Sequence, residues 1–268
     1  MLVVRLRTGW GLRRRLHLQH ADVAAARMCV ERHYLATFGV GHRRQVGRIL
    51  CYHSFGQPEW GLNDISVERF RQQLEASLAA GYTFVPASQI ARTGGGADEI
   101  ALTFDDGARS VLSVAAPILR SYGIPFSVFV ISQWCDGTGG PGSTLAWHDV
   151  VRLADLGAEI GNHSASHPDF DRLSQDEMTD EIGSAKEAIE RHTGIRTTSF
   201  AIPLGQSGNW TAKASDIVRQ LGYDLVYAQA EDTRPPGTIA RTFVTHFDSP
   251  RIFRALLRGR YDRWEEWV

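Results

Sequence analysis

From Ile49 onward, short β-prone runs alternate with stretches of helical period, and this alternation limits the possible folds more than any other feature of the chain. The runs fall at 49–53, 82–85, 100–104, 125–131, 158–160, 198–202, 224–227 and 239–244. Helical signals lie between them. Ser66 is placed to cap a helix with Phe70, Leu74 and Leu78 on one face and Gly81 at its end. Val111, Val114, Ile118 and Leu119 share a face that stops at Gly123, and Ser174 with Glu177 forms a capping box that opens a helix toward Arg191. Spacing of this kind predicts an α/β fold with a mostly parallel sheet, open or closed as a barrel. The polar residues favour closure. His53, Asp105, Asp106, His163, Pro203 and His246 each fall at or just past the C-terminal end of an expected strand, and only the aspartates share one. Side chains at those ends converge on one face of a β/α barrel.

The run from Ile100 to Gly107, IALTFDDG, carries the chemistry. Its apolar part reads as a buried strand, and Gly107 permits an immediate turn, so two carboxylates stand together at a strand end. Neighbouring carboxylates in a restricted site do not both ionise comfortably without a cation, which leaves a metal ligand with a base, or an acid/base couple. A second stretch decides between these. In GNHSASHP, residues 161–168, two imidazoles lie four residues apart, and Pro168 turns His167 away from helical geometry. Two imidazoles and one carboxylate make a facial site for a divalent ion, with positions left open for water and substrate.

TFDDG followed by HSASH resembles the first two motifs of the polysaccharide deacetylases, the carbohydrate esterase group that contains chitin, peptidoglycan and poly-N-acetylglucosamine deacetylases. The likeness runs from about Ile49 to the region of Arg258. It implies a distorted (β/α) barrel of about seven strands, Asp105 as catalytic base, and Asp106, His163 and His167 as ligands of one divalent metal ion, zinc first, with cobalt, manganese, nickel or iron also accommodated. It implies N-deacetylation of an amino sugar or oligosaccharide by attack of an activated water, with a late histidine protonating the amine. His246 in Val244-Thr245-His246 is the positional match for that acid, although Val244 stands where the family has Leu. Two further departures follow. Phe200-Ala201-Ile202-Pro203-Leu204-Gly205 has Ala201 where many members carry an arginine that orients the base, a pattern similar to poly-N-acetylglucosamine deacetylases with F-A-x-P-x-G. The segment 239–244 resembles members with an arginine, here Arg241, before the strand and no late histidine. His53 and Pro203 are expected to line the substrate pocket, and Trp210, with Trp134 and Trp147, to offer an indole to a pyranose. A deformylase or cyclic-amide hydrolase on the same scaffold, and a catalytically silent carbohydrate-binding protein, remain open at this stage.

The chain has 268 residues and is 43% hydrophobic, enough for one sizeable core. Its net charge of −1 gives no global argument for nucleic acid as partner. The charge is nevertheless polarised: residues 1–48 contain ten Arg and no Lys against Asp22 and Glu31. The expected organisation is a basic extension, 1–47, in which Asp22 caps a helix to Gly39, ahead of a catalytic domain, 48–268. Such an arm would suit weak contact with an anionic membrane face or a lipid-carrier phosphate. Three cysteines without C-x-x-C spacing point to a reducing compartment. After Arg13, Arg14 and Arg15 come His17, Gln19, His20 and Asp22 in place of an apolar signal segment, so the expectation is a cytoplasmic protein.

Overall fold

The computed structural model describes residues 20–41, 44–229 and 233–262. The readings of Arg13, Arg14 and Arg15, and of Trp264 and Trp267, whose expected place was a packed terminal cap, lie outside the described residues. The strands are β1 (Arg48–Tyr52), β2 (Ser54–Phe55), β3 (Asp64–Ile65), β4 (Thr83–Phe84), β5 (Glu99–Phe104), β6 (Phe126–Val130), β7 (Glu159–Asn162), β8 (Ser199–Ala201), β9 (Leu225–Tyr227) and β10 (Thr242–Phe243). Seven of them run parallel in the order β10-β1-β5-β6-β7-β8-β9, with β4 beside β5 and β2 paired to β3 apart from the main sheet. The sheet curls until one segment joins its edges. Ile239 bridges Tyr227 of β9, while Thr242 and Phe243 pair with Leu50 and Cys51 of β1. The product is a distorted (β/α) barrel of seven parallel strands.

Strand parity decides what faces the lumen, because successive side chains point to opposite faces. One phase, including Leu50, Tyr52, Leu102, Phe104, Val128, Val130 and Ile160, lies in the large core beneath the surrounding helices. The other phase, including Ile49, Ala101, Phe129, Ala201 and Tyr227, fills the interior. Every residue of β1 and β6 is buried, as expected of parallel strands covered on both faces. Gly161 belongs to the inner phase, and a Cβ there would lie 2.4 Å from the Phe129 ring, so glycine at this position is what admits that ring.

The registers place the strand ends level. Tyr52 pairs with Phe104, Val130 with Asn162, Asn162 with Phe200, and Ala201 with Tyr227. Helices fix the connections. Val67–Ala79 begins at Ser66, whose hydroxyl accepts from the Arg69 N–H, and Gln175–Thr193 begins with the Ser174/Glu177 capping box. No helix among the described residues is long and apolar enough to cross a membrane.

Part of the basic extension is docked against this body. Its helix, His20–Phe38, starts two residues ahead of Asp22 and packs on the last helix, Pro250–Leu257. Arg32 is buried there. Its Nη1 donates to both oxygens of Asp248 at 2.5 and 2.7 Å, its Nη2 donates to the Phe243 carbonyl at 2.9 Å, and the Tyr261 hydroxyl donates to its carbonyl.

Candidate active site

At the C-terminal ends of β1, β5 and β7 the inner phase continues into His53, Asp105 and His163, and all three are buried. The chain then turns sharply. Among the described residues only four non-glycines have positive φ: Asp106 (67°), Ser164 (68°), His167 (65°) and Leu204 (63°). All four sit in the loops after β5, β7 and β8. Left-handed backbone is costly for side chains with a Cβ, and its concentration at one end of a barrel marks the functional end. Gly107, at φ 73°, completes the turn after the aspartates.

Hydrogen bonds hold the histidine loop in place. The Asn162 amide donates to the Ile182 carbonyl at 3.0 Å, and its oxygen accepts the Ser164 N–H at 2.7 Å. Glu181 accepts the N–H groups of Ala165 and Ser166 at 3.0 and 2.9 Å, and Ser164 Oγ accepts the His167 N–H at 2.9 Å. The loop therefore presents two imidazoles from a rigid base. His163 Nε2 stands 3.2 Å and His167 Nε2 3.5 Å from Asp106 Oδ1.

This triad fits a divalent ion on three observations. Donors about 2.0–2.2 Å from one ion lie roughly 3–3.6 Å apart, as the Asp106 contacts do, and one donor atom from each of the three residues falls within 4.8 Å of the others. His163 Nδ1 lies 2.9 Å from the Ala201 carbonyl, which can only accept, so Nδ1 carries a proton and, in the neutral ring, Nε2 turns a lone pair toward Asp106. Asp106 Oδ1 is buried and makes no hydrogen bond among the described residues. Burial pushes the carboxyl up, but the imidazoles of His163, His53 and His167 around it hold it well below the usual carboxylate range. For His167 burial prevails and pushes the imidazole down to about 4.

Asp105 faces the same space from the inner side. Arg241 grips it with both ends of its fork, Nη1 to Oδ1 at 2.6 Å and Nη2 to Oδ2 at 2.7 Å. The guanidinium also donates to the Ala228 carbonyl through Nε at 3.1 Å and packs against the rings of Phe129 and Tyr227. Burial pushes Asp105 up, yet Arg241 and His163 outweigh it and hold the carboxyl below its ordinary value. An arginine thus does meet Asp105, although Ala201 supplies none; it comes from the closing segment of the barrel and not from the end of β8. The Cys51 thiol donates to Asp105 Oδ2 at 3.4 Å, and burial pushes it well up, so it is not a nucleophile.

The remaining expected site residues divide. His53 reaches the cluster, its Nε2 3.9 Å from Asp106 Oδ2, and its Nδ1 is buried without a hydrogen-bond partner among the described residues. Burial lowers its pKa, so it is held neutral. His246 is turned elsewhere: its Nδ1 lies 3.2 Å from the Gly61 carbonyl, its ring packs on Phe247, and its carbonyl accepts from Arg69. Pro203 is buried beside the exposed Leu204. Trp210 requires a correction. It is 6% exposed, packed between Phe170 and Phe200, and its indole N–H donates to Ser215 Oγ at 2.8 Å, so apolar burial has taken the ring intended for a sugar. Trp147 stacks on His192 on the helical layer. Of the three tryptophans, Trp134 is the one against the cluster, 6.0 Å from the His167 ring.

The fold is thus a curled parallel barrel that carries, at one end, an Asp-His-His triad placed to hold a cation and a forked arginine on a second aspartate. The family model for polysaccharide deacetylases matches residues 93–226, half of the chain, and the protein belongs to that family. Among curated proteins it is 25% identical over 142 residues to the putative polysaccharide deacetylase YxkH of Bacillus subtilis, covering 53% of this chain and 47% of that one. It is 33% identical over 109 residues to the peptidoglycan-N-acetylmuramic acid deacetylase PdaC of the same organism, covering 40% of this chain and 21% of that one. The matched stretches thus span less than half of either relative. Among solved structures, the Streptococcus pyogenes deacetylase PplD in complex with acetate superposes with a TM-score of 0.68 at 23% identity, over 80% of this chain and 98% of that one. IcaB from Ammonifex degensii gives 0.68 at 24%, over 82% and 99%. These structures share the fold.

Proposed function

We propose that this chain removes the N-acetyl group from an amino sugar or glycan by hydrolysis. The observation that carries the reading is the pairing of two different aspartates at one strand end. Asp106 faces two imidazole lone pairs, and Asp105 is held ionised and fixed in plane by Arg241. A divalent ion held by Asp106, His163 and His167, zinc before cobalt, manganese, nickel or iron, would polarise an acyl carbonyl and lower the pKa of a water molecule. Asp105, with its carboxylate aimed by Arg241, is the group placed to take a proton from an attacking water. His163 and His167 hold their positions through the Asn162 and Glu181 contacts of their loop.

The proton that Asp105 takes goes on to the departing amine, and His53, held neutral beside Asp105, is assigned as its relay on placement. Its imidazole stands in the cluster, whereas the ring of His246 is committed to Gly61 and Phe247. Trp134 and the exposed Leu204 flank the opening and supply apolar surface for a sugar ring. Support for a glycan substrate comes from family membership and from PdaC, whose name specifies an N-acetylmuramic acid of peptidoglycan.

The test is amine release from a panel of N-acetylated sugars (free, nucleotide-linked and oligomeric) by chelator-stripped protein with and without added zinc or cobalt. Turnover restored by metal on one class is the expected result. Metal binding without turnover on any of them would transfer the site to another amide, and absence of metal binding would overturn the reading.

A further inference from the structure

The pole opposite the active site carries a second set of features that catalysis does not use. Arg48 opens β1 and His53 follows its end, so the two poles are separated by the length of the strand, about 16 Å at roughly 3.3 Å per residue. Around Arg48 lies a cavity of about 940 Å³ whose lining includes Arg44, Arg48, Arg254, Arg258 and Arg260 against the single acid Asp98. Arg48 is committed to Asp262 and Thr242. Arg254 and Arg258, on the last helix and its C-cap, are exposed, and neither has an ion-pair partner among the described residues. Two like charges four residues apart repel one another, which the helix C-terminal dipole offsets only in part.

The helix His20–Phe38 ends beside this cavity, which Gly41 also lines. It docks through Met28, Arg32 and Ala36, which are buried. Its opposite face is also apolar. Val30 is 68%, Tyr34 61% and Phe38 69% exposed at four-residue spacing, and Val40 just beyond is 89% exposed. The arginines adjoin this stripe directly: Arg251 donates to Thr37 Oγ1 at 2.9 Å, and Arg260 donates to the Ala36 carbonyl at 2.6 Å. A further five arginines, Arg5, Arg7, Arg13, Arg14 and Arg15, precede the helix in sequence, interleaved with Leu6, Trp10, Leu12 and Leu16.

An exposed apolar and aromatic stripe, with the exposed guanidinium groups of Arg254 and Arg258 on the neighbouring helix and its C-cap, is complementary to one kind of surface, an anionic phospholipid bilayer. We propose that this pole docks the protein on such a bilayer. Val30, Tyr34, Phe38 and Val40 enter the headgroup boundary, and Arg254 and Arg258 engage lipid phosphates. The inference is independent of the deacetylase reading, because its test measures no turnover.

The full chain is floated with vesicles of phosphatidylglycerol and phosphatidylcholine, or of phosphatidylcholine alone, at low and at 0.5 M salt. Binding is expected only with phosphatidylglycerol. It should fall about tenfold in Tyr34→Ser/Phe38→Ser through lost apolar insertion, and about tenfold in Arg254→Gln/Arg258→Gln, which should also be less salt-sensitive. Val40→Asp, outside the helix, repeats the first effect where folding is not at issue, and thermal melting of every variant verifies that the fold is retained. Three results would overturn the proposal: no binding to anionic vesicles at low salt, variants that bind like the parent, or a lipid-free dimer of the parent that Tyr34→Ser/Phe38→Ser dissociates.

Discussion

Two of the deeply buried arginine–aspartate pairs, Arg241–Asp105 and Arg32–Asp248, differ in ways that separate a site from a clamp. Arg241 meets Asp105 fork to fork, one nitrogen per oxygen, which fixes the carboxylate plane as well as its charge. Arg32 meets Asp248 through Nη1 alone, which serves both oxygens, while Nη2 is given to the Phe243 carbonyl. Their carboxyls titrate in opposite directions. Burial pushes both up, but Arg241 and His163 bring Asp105 below its ordinary value, whereas Arg32 and the Thr245 N–H leave Asp248 above it. One pair faces the Asp106–His163–His167 triad and keeps its acid ionised. The other ties the N-terminal helix to the loop after β10 and stands apart from any cluster of ligands. A buried ion pair is thus not evidence of function in itself; what its carboxylate faces decides.

The largest effect that would sharpen this contrast is Asp105→Asn. The amide keeps the shape and cannot take a proton, so turnover should drop by about 10²–10⁴ while metal content, measured by atomic absorption, stays at the parent value. An equal loss of metal would make Asp105 a ligand instead. Next come the two arginines. Arg241→Ala and Arg32→Ala each strand a buried carboxylate and should each cost about 3–5 kcal/mol in denaturant unfolding, yet only Arg241→Ala should depress kcat in the folded fraction. Comparable kcat losses in both would erase the distinction drawn here. Arg241→Lys keeps the charge and loses the fork, and a turnover drop of about tenfold with KM unchanged is expected.

The smallest effect is the pH dependence of stability in chelator-treated protein. The folded pKa of Asp105 is depressed, so its stabilisation is present above the unfolded value near 3.8 and is lost as pH falls through the folded one. The folded pKa of Asp248 is raised, so its favourable contribution is complete below that same value and is lost as pH rises through the folded one. Melting curves between pH 3 and 7 should therefore show the gap between parent and Asp105→Asn widening with pH, and the gap for Asp248→Asn moving the opposite way. Gaps that run in parallel would contradict the assignment of the two carboxyls.

Much of this was readable in advance, for a local reason. IALTFDDG and GNHSASHP each encode a strand, a sharp turn and the groups that follow it, and a turn needs only neighbouring residues to be specified. The alternation of elements carried the class of fold, while strand order came from the pairing of segments distant in sequence. Trp210 misled because its position after a loop says nothing of the pocket between Phe170 and Phe200 that receives it. His246 matched a position in the chain, while the ring that stands at the cluster, His53, comes from the first strand of the barrel.

What the sequence determined by itself was the phase of each strand and the residues at its end, since side-chain alternation and the turn after it are short-range properties. What only the tertiary structure decided was which distant residue meets those ends. Arg241 lies 136 positions from Asp105, and Arg32 lies 216 from Asp248. Both contacts exist because one segment closes the barrel between β9 and β1 and the N-terminal helix docks beside it. Such closure follows from burial summed over the whole sheet, which no local stretch of residues encodes.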